Sequence, residues 1–147
     1  MRVVLVVILV LLILGWVAVL YWSCPRESFS FSRSRLVAAD GGRLASFNDL
    51  YLVVRSADGG VFAFDGSLRL LPRGLYAALQ KIVLSRTYYA VILSTNKPKE
   101  QWIAEPAGGG AYFFSQRVDG RPVYLSISEG VLSGDPAHKT ALRLEAA

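Results

Sequence analysis

QWIAEPAGGGAYFF, Gln101–Phe114, is where the fold of this chain is most legible. Gln101–Glu105 has strand composition, and Pro106–Gly110 supplies a turn in which three successive glycines accept positive φ at no steric cost. Ala111–Phe114 then returns as a second strand. The earlier stretch Leu68–Tyr76, LRLLPRGLY, repeats this order with a shorter turn. Gly108–Gly110 is not a phosphate loop, because no Lys-Ser/Thr pair follows it and no helix begins there.

Working outward, strand signals recur at short intervals from Leu36. Leu36–Ala38, Leu50–Val54, Val61–Phe64, Leu68–Leu71, Tyr88–Leu93, Val123–Ile127, Gly130–Leu132 and Ala141–Leu144 are separated by Gly, Asp, Asn and Pro. Leu75–Leu84 is ambiguous, since Leu75, Leu79 and Ile82 would share a helical face. An internal repeat decides for strand. At an offset of about 36 residues, Tyr76 falls on Tyr112, Gln80 on Gln116, Lys81 on Arg117, Ile82 on Val118, Tyr88 on Tyr124 and Val91 on Ile127. With small loop differences, Trp102 falls on Leu142 and on Leu68. Tyr51–Val54 and Gly60–Phe62 fall on Tyr124–Ile127 and Gly130–Leu132.

Three units of about four strands each follow from this alignment. Written from this chain, the pattern is Tyr-Leu-x-Ile, Gly-Val-Leu, Leu-Arg-Leu-Glu, together with Trp-Ile-Ala-Glu-Pro and Gly-Gly-Gly-Ala-Tyr-Phe-Phe. It resembles the β-trefoil superfamily, closest in flavour to fascin-like and ricin-like repeats. The resemblance implies an all-β domain over residues 36–147, with pseudo-threefold symmetry and a closed barrel whose last strand pairs near the first. It transfers no function, because Gln101 and Trp102 are adjacent where a ricin-type sugar site carries Gln-x-Trp.

The front of the chain is different in kind. Val3–Leu20 is apolar throughout apart from Gly15, and Tyr21-Trp22 closes the run. At ~1.5 Å per residue such a run matches the ~30 Å hydrocarbon core of a bilayer. Residues 1–24 are therefore expected to be a transmembrane signal-anchor helix, with membrane lipid along residues 3–22. Tyr21, Trp22 and Cys24 would lie at the interface. A cleaved signal peptide fits less well, since no small-x-small site follows. The expected location is a single-pass membrane protein with its C-terminal domain on the exoplasmic side. Residues 25–35 form a Ser/Phe/Arg linker or lead-in strand, in which Phe29, Phe31, Arg33 and Arg35 share one parity.

The bulk numbers bound the chemistry. The chain has 147 residues, 53% hydrophobic, with a net charge of +5. Much of the apolar excess sits in the first 22 residues, and from Ser28 onward fourteen basic residues face ten acidic ones. That balance is mildly basic and far from a nucleic-acid footprint. Cys24 is the sole cysteine, which excludes a disulfide-stapled scaffold. His138 is the sole histidine, so no Cys/His cluster or Ser-His-Asp set is suggested, and neither a cofactor nor a metal is expected. Trp102, Tyr76, Tyr112, Tyr88 and Tyr124 read as core aromatics. Lys97 and Lys99 on one loop, with Arg117 and Arg121 beside the Asp119-Gly120 turn, are the candidate contacts for an anionic surface or partner.

The expected function is non-enzymatic: a membrane-anchored binding or assembly module, an accessory subunit of a membrane or envelope complex. The alternatives are a glycan- or receptor-binding ligand module and, after that, a loop-based protease inhibitor. The expected partners are proteins in or outside the membrane, anionic glycan or lipid heads, and no nucleic acid.

Overall fold

A computed structural model describes the backbone of residues 2–23 and 29–147, with side chains for Val3–Trp16 and 29–147. Among the described residues one helix, α1 (Arg2–Ser23), precedes twelve strands. The first six are β1 (Phe31–Val37), β2 (Arg43–Phe47), β3 (Tyr51–Arg55), β4 (Phe62–Phe64), β5 (Leu68–Leu70) and β6 (Leu75–Val83). The rest are β7 (Thr87–Ser94), β8 (Trp102–Gly108), β9 (Ala111–Val118), β10 (Arg121–Ser128), β11 (Val131–Asp135) and β12 (Leu142–Ala146). Leu75–Val83 is a strand, as the repeat indicated.

Every strand pairing is antiparallel, and the pairings close. Following β1 to β4, β5, β6, β7, β11, β10, β9, β12 and back to β1 gives a ring of nine strands. The β2–β3 hairpin bridges β1 to β7 as a second route, and β8 is added on the free edge of β9. The termini of the barrel meet, with Ser34 opposite Ala146 and Val37 opposite Arg143.

This corrects the expected trefoil. Three equivalent four-strand units would need matching barrel strands, but β4 and β5 have three residues each against seven and eight in β8 and β9. Pro72 has no N–H to continue a ladder beyond Leu70. β8 forms a ladder with β9 alone and meets the turn before β5 through a single bond, Trp102 N–H to Gly66 C=O at 2.8 Å. Closure therefore runs through β6, β7, β11 and β10. The repeat alignment is not reproduced either: Gln116 is buried in β9, whereas Gln80 on β6 is exposed.

The opening hairpin did form. β8 and β9 are joined at Gly108–Gly110, whose φ values are 90°, 62° and 77°. Pro106 sits within β8 because that strand lies at an edge, where its missing N–H costs no ladder bond. The core runs through the ring, filled by Leu36, Leu44, Phe62, Leu68, Phe114 and Leu125 among others. At one end Phe29, Phe31, Phe64, Tyr112 and Phe114 form an aromatic cluster, with Phe29 stacked on Tyr112 at 4.1 Å. Phe31–Arg35 thus belongs to β1.

The anchor also needs correcting. Among the described residues no helix is long and apolar enough to cross a membrane. The single-pass topology and exoplasmic placement are withdrawn with it. The side chains of Tyr21 and Trp22, and all of Cys24, lie outside the described residues.

Candidate functional site

The feature that projects from the ring is the β6–β7 hairpin. Its ladder is unbroken from Tyr76 opposite Ser94 to Val83 opposite Thr87, and Leu84 N–H closes the turn onto Arg86 C=O at 3.0 Å. Gln80–Tyr88 is exposed at every position. Five residues at strand rise carry the tip about 15 Å from the buried base. That tip is apolar: Val83 is 67% and Leu84 72% exposed, with Ile82 and Tyr88 beside them. Tyr88 was expected in the core. It pairs across the ladder with Ile82 in the projecting part of the hairpin and is half exposed.

Two buried polar side chains hold the base. Gln116, on β9, is 3% exposed. Its Oε1 accepts the Leu79 N–H at 2.8 Å, and its Nε2 donates to the Glu100 carbonyl at 2.9 Å. One amide thus ties β6 and the β7–β8 loop to β9. Trp102, on β8 and 2% exposed, donates its indole N–H to the Ala77 carbonyl at 2.8 Å. Gly134 on β11 lies opposite Tyr89 on β7, where a Cβ would come within 2.7 Å of the Tyr89 Cβ. A residue without a side chain is what lets the two strands meet.

The candidate basic residues gather around this base. Arg117 and Arg121 are exposed on the β9–β10 hairpin, opposite Pro122 and Val118. Asp119 and Gly120, at φ 53° and 78°, make the tight turn between these strands. Lys97 and Lys99 are exposed on the loop that Gln116 fastens to β9 through Glu100. Lys81 joins them through a 2.7 Å ion pair with Asp119. That hydrogen bond, then the Asp119 charge, hold the Lys81 ammonium above its ordinary pKa, against the opposing charge of Arg121. Arg86 adds a cation at the tip. Lys81 and Arg86 thus lie on the hairpin itself, and Lys97, Lys99, Arg117 and Arg121 on the loop and turn beside its base.

No protein-family model and no curated protein matches this chain.

The other candidates fall into structural places. Tyr76, Tyr112 and Tyr124 are half-buried along the ring. His138 is exposed on a loop that Asp135 caps, its backbone N–H donating to Asp135 Oδ1 at 3.0 Å. Among the described residues no group of His, Cys, Asp and Glu is placed to hold a metal ion. Sequence reading located the basic residues but missed the apolar tip and Gln116. The run Ile82-Val83-Leu84 followed by Ser85-Arg86 was the available signal for an exposed turn carrying apolar residues.

Proposed function

We propose that this chain is a binding and assembly module, and that the β6–β7 hairpin docks on a protein surface that is acidic around an apolar depression. One observation carries the reading: Ile82, Val83, Leu84 and Tyr88 are solvent-exposed together on a hairpin whose base is fixed by buried polar bonds. Exposed apolar side chains grouped this way mark an interaction site, whereas single ones scattered over a surface do not. Lys81, Arg86, Lys97, Lys99, Arg117 and Arg121 supply the complementary charge, which steers encounter and fixes orientation. The apolar tip supplies the desolvated centre of the contact. A hairpin held rigid at its base loses little freedom on binding.

The test places a photo-crosslinking residue at Val83 and, as a control, at the exposed Ala107 in the β8–β9 hairpin. The expected result is a defined acidic protein captured from Val83 and not from Ala107. Capture should be lost when Lys97, Lys99, Arg117 and Arg121 are all changed to Ser, with the fold retained by circular dichroism. Equal capture from both positions, or capture only of a second copy of the chain, refutes the reading.

A further inference from the structure

Away from the hairpin, a surface cleft of about 550 Å³ opens between β12, β1, β2 and β3. Arg43, Arg55 and Arg143 line it, together with Val37, Val54, Gly41, Gly42 and Gly130. Strand register puts the three arginines and Val37 in one row, whereas Val54 is opposite Leu44. Val37 faces Arg143 on one side and Arg43 on the other, and Arg43 in turn faces Arg55. Adjacent strands are about 4.8 Å apart, so the Arg43 and Arg55 backbones are separated by about 5 Å and Arg143 lies about 10 Å from Arg43.

Two like charges directly opposite on neighbouring strands are unfavourable, and this row places a third nearby. Glu145 meets only one of them, through the Arg43 Nη2 at 3.2 Å. Among the described residues Arg55 and Arg143 have no carboxylate partner. Asp40, the one acid lining the cleft, already accepts the Gly42 N–H at 2.9 Å. The walls are fixed. A Cβ on Gly42 would come within 2.7 Å of Val54 Cγ1, and one on Gly59 within 2.7 Å of the Arg43 Cβ. Arg43 also donates to the Ser56 carbonyl at 3.4 Å.

We infer that this cleft binds a small ligand through a phosphate or sulfate group, held by Arg55 and Arg143 with Arg43 as the fixed third cation. Guanidinium forks match tetrahedral oxyanions with paired hydrogen bonds. An oxyanion also relieves the unpaired cross-strand repulsion, and the volume suits a ligand of sugar-phosphate size. This site lies on strands other than those of the hairpin and stands independently of the docking reading.

The experiment titrates the full chain, in mild detergent because α1 exposes apolar side chains, with inorganic phosphate, sulfate and acetate at matched ionic strength. Arginine side-chain NMR signals report binding. Saturable shifts confined to Arg43, Arg55 and Arg143 are expected with phosphate or sulfate, and whichever binds more tightly names the ester class. Arg55→Ser and Arg143→Ser should each weaken that binding by about tenfold, the loss of one charge-assisted contact. Arg117→Ser should leave it unchanged. Absence of saturation, equal binding of acetate, or equal loss in Arg117→Ser overturns the assignment. So does unchanged binding in both cleft variants.

Discussion

Replacing Gln116 by Met keeps the shape of the side chain and removes both of its hydrogen bonds. The Glu100 carbonyl belongs to an exposed loop residue and can turn to water, so its lost bond costs about 1 kcal/mol. The Leu79 N–H is half-buried in β6 and has no other strand beside it. Stranding it costs about 1–2 kcal/mol, the penalty for a donor that water reaches poorly. The sum is about 2–3 kcal/mol, which in a barrel of this size lowers Tm by roughly 8–12 °C. Urea unfolding should show the loss in the midpoint with the slope preserved. Amide exchange should show where it falls: Leu79 and its neighbour Gln80 should lose protection well before β10 and β11. A loss below about 0.5 kcal/mol, the range of an inert surface change, would show that Gln116 does not hold the hairpin. Uniform loss of protection across the barrel would show the same.

Gly134→Ala should destabilise by about 1–3 kcal/mol, because the added methyl meets Tyr89, Leu79 and Val123 in a packed wall. Gly130→Asn, in open space and at a φ that Asn accepts, should change the urea midpoint little by comparison. The Lys81–Asp119 pair sets a pH dependence whose sign follows from the raised Lys81 pKa. The folded chain holds that proton after the unfolded chain has released it, so the contribution is complete below the unfolded value and fades as pH climbs through the folded one. A ¹⁵N-detected titration should place the Lys81 midpoint above 10.5 and return it toward that value in Asp119→Asn. An unchanged midpoint would show that the ion pair does not hold in solution.

Local chemistry made the strands legible. Gly108–Gly110 and Asp119-Gly120 adopt the positive φ that their composition favours, and each closes a hairpin. The meeting of the first and last strands followed from closing a sheet on itself. The way the sheet closes was not legible. An alignment that equates Gln80 with Gln116 rewards residue identity, whereas one of these side chains faces solvent and the other bridges three segments. Strand length also escaped it, because β5 is cut short by Pro72 while β6 runs on to Val83. The arginine cleft was out of reach for a different reason. Arg143 stands far from Arg43 and Arg55 in the chain, and only the β1–β12 pairing brings the three into one row.

The same geometry explains why the hairpin is both stable and available. β6 has two edges, one laddered to β7 over its whole exposed length and the other to β5 only at Leu75 and Tyr76. Beyond Tyr76 that second edge would be left open, which in a long strand invites unwanted pairing. Trp102 takes up the Ala77 carbonyl and Gln116 the Leu79 N–H, so two buried side chains stand in for the missing strand. The substitution stops at the barrel wall. Among the described residues no strand lies along that edge from Lys81 to Val83, and the charge of Lys81 guards it against pairing. Asp119 holds Lys81 toward the β9–β10 turn. A partner that carries an acid competing for Lys81 would therefore gain an extended edge as well as the apolar tip, joining charge recognition to strand addition in one event.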